Sequence, residues 1–164
     1  MSSTRPNQES PEVVFRTMCV LADIIIKWDD DEYDTDDREY LLEQIEEVFD
    51  HLNLWADAYD LAKELEDELA IYPNAELVEA LGDLFYERDR IIKELEAKWV
   101  EENQIKPNLE LGLEIKYPSE DKIQDFTLEN VDLKQGKYYL KYHEKPNTRL
   151  ILDFETLEDY LDEN

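Results

Sequence analysis

Apolar positions recur at a helical period up to about residue 103 and alternate from residue 107 onward, so the chain divides into a helical part and a strand part. Ser10 as N-cap, Pro11 at the first helical position and Glu12 in the first turn predict a helix that runs to about Trp28. Its apolar residues, from Val13, Val14 and Phe15 through Met18, Cys19, Val20, Leu21 and Ala22 to Ile24, Ile25 and Ile26, cover most of the circumference. That pattern predicts the central helix of a bundle or half of a dimer core. A second helix is expected from Thr35 or Asp36, with Leu41, Ile45, Val48, Phe49 and Leu52 inward. A third is expected over residues 54–71, with Trp55, Ala58, Tyr59, Ala62, Leu65 and Leu69. Pro73 breaks the chain and Asn74 is available to cap a fourth helix, Ala75 to Glu102, whose stripe is Leu77, Leu81, Leu84, Ile91, Leu95 and Trp99.

Past residue 106 the period changes to 2. Residues 109–117, LELGLEIKY, alternate without a miss and read as a half-buried strand. Residues 137–143 and 148–154 predict two more strands joined by a hairpin at EKPN, and residues 126–133 supply a further candidate. ETLEDYLDE closes the chain as a short helix. The expected fold is α+β: an N-terminal four-helix bundle over residues 10–103, then residues 107–164 as a small antiparallel sheet of three to four strands with a short C-terminal helix. Residues 1–9 are expected to be disordered. No internal repeat is visible.

Charge changes the picture more than composition does. With 164 residues and 42% apolar content the chain can bury a core, yet 44 acids against 17 bases leave a net charge of −27. Direct binding to nucleic acid or to an anionic membrane is thereby disfavoured. A halophilic source would explain the charge, but the chain keeps 11 Lys and runs such as IIIKW. Cys19 is the only cysteine, which fits a reducing compartment. The N-terminus lacks a signal-peptide pattern and Val13 to Ile26 is too short to span a bilayer, so a cytoplasmic protein is expected.

The acids are segregated. Residues 29–68 hold 18 acids and only Arg38 and Lys63 as bases, a net of −16. Asp29, Asp30, Asp31, Glu32, Asp34, Asp36 and Asp37 precede or open the second helix. Glu39, Glu43, Glu46, Glu47 and Asp50 form a row along that helix, and Asp57, Asp60 and Glu64 begin another on the third.

Metal chemistry is one use for such acids. With Glu32 at position 1 of an EF-hand-like loop, Asp34, Asp36 and Glu43 fall at positions 3, 5 and 12, but position 1 is not Asp and position 6 is Asp37 where the loop needs Gly. The stretch EQIEE, with Glu43, Glu46 and Glu47, and the stretch EALGDLFYERD, with Glu79 and Asp83, resemble the all-α nucleoside-triphosphate pyrophosphatases of the MazG type. That resemblance implies helical acidic pairs converging on Mg²⁺; the second motif departs from it, because Ala80 stands three residues before Asp83. His51 and His143 are the only histidines, and no nucleophile motif, Gly-rich phosphate loop or Cys/His metal spacing is present. No catalytic residue and no cofactor are expected.

Binding is the remaining use. Like charges at i, i+3 and i+4 destabilise a helix by ~0.2–0.5 kcal/mol per pair, and few lysines are interleaved here to relieve it. Carboxylates one helical turn apart can imitate a strand of phosphates, and Trp28, Tyr33, Tyr40, Trp55 and Tyr59 could anchor a partner if exposed. The expected function is a non-enzymatic acidic protein that occludes the basic site of a partner, a nucleic-acid-binding protein or nuclease, as a DNA-mimic inhibitor or an immunity or antitoxin protein of phage or plasmid type. The alternatives are the magnesium-dependent pyrophosphatase-like enzyme and an adaptor with a merely solvated acidic face. The Tyr138, Tyr139 and Tyr142 hairpin reads either as the core of the small sheet or as a second contact, including a homodimer surface.

Overall fold

The computed structural model of the protein describes residues 4–29, 35–119, 122–145 and 147–163. The fold is mixed α+β, with five α-helices and a four-stranded antiparallel sheet. Two compact units form, one of Pro6–Leu95 and the other of the chain from Glu96 onward together with the N-terminal residues to Arg5.

In the helical unit α1 spans Pro11–Trp28 and starts as expected, with Pro11 at its N-terminus. Ser10 Oγ accepts from the Asn7 backbone N–H at 2.9 Å, closing the turn before the helix. Burial is confined to one face, Val13, Thr17, Met18, Leu21, Ala22 and Ile25. Phe15 is 50% exposed, so α1 is not surrounded on all sides; its extra aliphatics Val14, Val20, Ile24 and Ile26 flank the buried stripe. A 3₁₀ turn at Thr35–Asp37 leads into α2, Arg38–Glu47, which buries Leu41 and Ile45.

α3 spans Ala58–Leu69, starting four residues later and ending two residues earlier than the periodicity predicts. The cause of the late start is Asp57, whose Oδ1 accepts from the N–H groups of Tyr59 and Asp60 at 2.9 and 3.0 Å and so fixes the N-cap there. Residues 54–56 stay outside the helix, and Tyr59, expected inward, stands 59% exposed while Leu61, Ala62 and Leu65 take the core face. Ala70 closes the helix in the left-handed region at φ 55°, and the Ile71 N–H bonds back to the Leu65 carbonyl at 3.2 Å. α4 spans Ala75–Glu102, and Asn74 Oδ1 accepts from the Leu77 N–H at 2.9 Å as the expected cap. One core joins Leu21 and Ile25 of α1, Leu41 and Ile45 of α2, Leu61 and Leu65 of α3, and Leu77, Leu81 and Leu84 of α4. Each such side chain contributes ~1.5–3 kcal/mol on burial, several times the repulsion of one like-charge pair on a helix surface.

In the sheet unit the strands are β1 Glu114–Ser119, β2 Lys122–Asp132, β3 Lys137–Tyr142 and β4 Arg149–Asp153, paired in chain order, and α5 is Phe154–Glu163. β1 starts five residues later than the alternation predicts. Gly112 turns the chain at φ 86° and its N–H bonds to the Leu128 carbonyl at 2.8 Å, which leaves Leu111 and Leu113 exposed. β2 pairs Leu128 with Leu140 and then Asn130 with Tyr139, so Glu129 is the extra residue of a bulge. The bulge shifts the alternation by one and brings Val131 against the core, opposite Tyr138.

That core is Ile115, Phe126, Leu128, Tyr138, Leu140, Tyr142, Phe154 and Leu157, with the Tyr138 and Phe154 rings 4.4 Å apart. Tyr138 and Tyr142 therefore belong to the sheet core. The Tyr138 hydroxyl, fully buried, accepts from the Asn108 and Leu109 N–H groups at 2.9 and 3.1 Å and donates to Glu158 Oε1 at 2.5 Å. Arg5 ties the N-terminal segment to the same unit. Its Nη1 donates to the Gln135 carbonyl at 2.8 Å and pairs with Asp153 at 3.0 Å, while Nη2 donates to the Gly136 carbonyl at 3.1 Å and to Glu155 at 3.0 Å. Glu96, almost fully buried, lies 3.4 Å from Arg5 and accepts from Lys137 Nζ at 2.9 Å.

Two outcomes follow from these buried polar groups. Arg5→Ala removes one of the two cations beside Glu96 and should lower the stability of the sheet unit by about 2–3 kcal/mol in urea unfolding. Burial and the Glu158 hydrogen bond push the Tyr138 pKa from 10.0 up to about 12. A raised phenol pKa means the protonated form is favoured by folding, so its stabilisation is complete below pH 10 and is lost as pH rises toward 12. Tyr138→Phe should remove that component of the alkaline loss and cost about 1–2 kcal/mol at neutral pH, because the part-buried Leu109 N–H loses its acceptor while the Asn108 N–H keeps only Glu158.

Candidate functional site

The acids of α2 and α3 face away from the core. Glu39, Glu43, Glu46 and Glu47 are exposed on α2, opposite Leu41 and Ile45. Asp60, Glu66, Asp67 and Glu68 are exposed on α3, opposite Leu61 and Leu65. Asp36 is exposed and Asp37 half-buried in the 3₁₀ turn before α2, Asp50 is exposed in the turn after it, and Asp29 is half-buried at the C-cap of α1. Asp30, Asp31, Glu32 and Asp34 lie outside the described residues. Two of the expected surface acids also have structural duties. Asp57 caps α3, and Glu64 Oε2 accepts from the Asn53 N–H at 2.6 Å, fastening the preceding loop to that helix.

The two bases of this stretch are directed elsewhere. Arg38 Nε donates to Asp23 of α1 at 2.6 Å, and the hydrogen bond to that carboxylate raises the guanidinium pKa. Lys63 Nζ sits 4.1 Å from the centre of the Tyr59 ring. On α4, by contrast, Arg90 pairs with Glu87 and Glu94 at 2.5 and 2.7 Å, and Lys93 pairs with Asp89. Among the described residues no salt bridge reaches Glu43, Glu46, Glu47, Asp60, Glu66, Asp67 or Glu68.

Helix ends sharpen the contrast. The last turns of α2 and α3 carry Glu46, Glu47, Glu66, Asp67 and Glu68 and no base, so acids stand at the negative end of each helix dipole. A misplaced charge of this kind costs ~0.3–1 kcal/mol. Tyr40 and Tyr59 stand 58% and 59% exposed among these carboxylates, whereas Trp28 and Trp55 are half-buried; Tyr33 is outside the described residues.

The metal readings meet different geometry. Arg38 would be position 7 of the calcium loop that begins at Glu32, but it opens α2, so its carbonyl accepts a helical hydrogen bond instead of turning toward an ion. Glu32 and Asp34 of that loop lie outside the described residues. Glu79 and Asp83 are exposed on α4, and among the described residues no group of three or more His, Cys, Asp or Glu side chains is placed to hold a metal ion. His143 Nε2 lies 2.9 Å from Glu114 and 2.7 Å from Thr127 Oγ1, on the sheet. Both contacts use the same ring nitrogen. Among the described residues no helix is long and apolar enough to cross a membrane.

Sequence reasoning missed Arg88. Its guanidinium is buried against Trp55 and Phe85, and desolvation lowers its pKa. Its helical spacing from Leu81 and Leu84, inward residues of the same stripe, was the available signal.

No family model, curated protein or solved structure matches the chain.

Because the acids oppose the helix dipoles, Glu47→Lys and Glu68→Lys should each raise stability by about 0.3–1 kcal/mol in urea unfolding. The gain should shrink in about 1 M NaCl, where exposed charges are screened beyond about 3 Å.

Proposed function

We propose that this protein is a non-enzymatic interaction protein whose acidic α2 and α3 surface binds and occludes a basic, nucleic-acid-binding site on a partner protein. The observation that carries this reading is the arrangement of charge at the ends of α2 and α3: exposed acids fill both last turns, while the bases of the stretch pair with Asp23 or cover Tyr59. The arrangement is unfavourable for the isolated fold, and a positive partner converts it into a favourable one.

Carboxylates one helical turn apart, about 5–6 Å, offer a basic cleft the same class of acceptor that a phosphate strand offers. The field of residues 29–68 steers the partner, and exposed Tyr40 and Tyr59 supply desolvated anchors within it. Asp30, Asp31, Glu32 and Asp34 add their charge to the same stretch of sequence. Such a protein acts as a DNA-mimic inhibitor or as an immunity or antitoxin protein. The shared core of Leu21, Leu41, Leu61 and Leu77 supports a four-helix bundle as the scaffold of this surface. The single half-buried thiol, Cys19, supports a reducing compartment, the cytoplasm.

Immobilised protein should capture from native lysate a basic protein that binds nucleic acid, and duplex DNA should compete for it. Capture should weaken as salt rises. Glu43→Lys with Glu47→Lys should abolish capture while leaving the fold at least as stable, and Tyr40→Ala should weaken it about tenfold or more. Equal capture by the charge-reversed protein, or a captured partner that DNA cannot displace, overturns the reading.

A further inference from the structure

The polar group least accounted for in the helical unit is the Arg88 guanidinium. Arg88 is 5% exposed on the inward side of α4, its Nη1 donates to the Leu54 carbonyl, and a second carbonyl, that of Ala56, lies at 3.5 Å. These contacts tie the loop before α3 to α4. They use Nη1 alone; Nε is buried and has no acceptor. In a chain with 44 acids, no carboxylate among the described residues forms a salt bridge with this guanidinium. Burying a cation without a counter-charge is costly, and one edge of the fork is left unsatisfied.

A cavity of about 310 Å³ adjoins that group, lined by Leu61, Leu81, Phe85 and Trp55 with Arg88, and by Asp57 at its polar side. The Trp55 and Phe85 ring centres lie 5.1 and 5.5 Å from the guanidinium carbon. Phe85, which lines the cavity, is 62% exposed. Gly82 also lines the cavity, and a Cβ built there meets nothing within 4 Å.

We propose that this cavity binds a small monocarboxylic acid with an aromatic or branched aliphatic body, its carboxylate on the Nε edge of Arg88 and its body against Leu61, Leu81 and Trp55. Arginine presents the Nε and Nη2 hydrogens in parallel, the spacing a carboxylate accepts in two hydrogen bonds. The apolar walls match a hydrophobic body, and the volume is about twice the ~150 Å³ that admits benzene, which sets a ligand of roughly ten to fifteen non-hydrogen atoms. The Asp57 side chain accepts hydrogen bonds from two backbone N–H groups, and beside this acidic residue a monoanion is favoured over a phosphate dianion. The site does not rest on the acidic-surface reading, since it uses none of the exposed acids of α2.

Calorimetric titration and ¹H–¹⁵N spectra of the full chain with 3-phenylpropionate, its amide and phenethylamine test the assignment. The carboxylate should bind with a dissociation constant of about 1 mM or below and shift the Arg88 Nε–H resonance, with the amide at least about tenfold weaker and the amine silent. Arg88→Lys should weaken the carboxylate about tenfold or more. Gly82→Leu fills the open space while replacing a mid-helix glycine with a strong helix former, so it should fold and yet lose binding. Equal affinity for acid and amide, unchanged binding by Gly82→Leu, or no Arg88 shift up to about 10 mM carboxylate overturns the proposal.

Discussion

The core beneath α1 to α4 has to hold helices whose outer faces repel. Leu41, Ile45, Leu61, Leu65, Leu77, Leu81 and Leu84 are almost completely buried, and each contributes ~1.5–3 kcal/mol. Pairs such as Glu43 with Glu47, or Glu64 with Glu68, oppose folding by ~0.2–0.5 kcal/mol each at the surface. One well-buried leucine therefore offsets several such pairs, which is why α2 and α3 can form within an acidic stretch with a net charge of −16. Core strength is what allows the surface to be shaped by something other than its own stability.

The sheet unit solves a different problem, that of polar groups taken out of water. Tyr138 fills the core with its ring and uses its hydroxyl to satisfy two backbone N–H groups and a carboxylate. Arg5 does the same from outside the sheet, joining two carbonyls to carboxylates from α4, β4 and α5. Gly136 sits under that guanidinium at φ 61°, and an added Cβ would come within 3.0 Å of Arg5 and Val100, so side-chain and backbone requirements meet at one residue. In the helical unit Arg88 has no such closure, and that difference marks its cavity as a place for a ligand.

Much of the element plan was legible because local rules and tertiary packing agree. Pro11 at the start of α1, Asn74 capping α4 and the alternation that gives β3 and β4 all act within a few residues. Where they were misread, a specific interaction outweighed periodicity. Asp57 fixed the start of α3 four residues late and turned Tyr59 outward; Gly112 delayed β1; the Glu129 bulge changed which residues of β2 face inward. The acids of the candidate surface were legible as charge, but the capping role of Asp57 and the loop contact of Glu64 were not, since side-chain oxygens find backbone donors only once the chain has turned.

By itself the sequence determined the helical and strand parts, the antiparallel character of the sheet and the segregation of charge, because these follow from period, turn residues and composition. Only the tertiary structure decided where that charge goes unanswered. Arg38 is drawn to Asp23 fifteen residues away and Lys63 to a ring, so the bases present in the stretch do not neutralise its outer face. It also decided that Arg88, one of several cations when read along α4, lies buried beside an apolar cavity with an unused edge. Charge is a property of the chain, whereas the partner of each charge is a property of the fold, since pairing depends on distances that only packing sets.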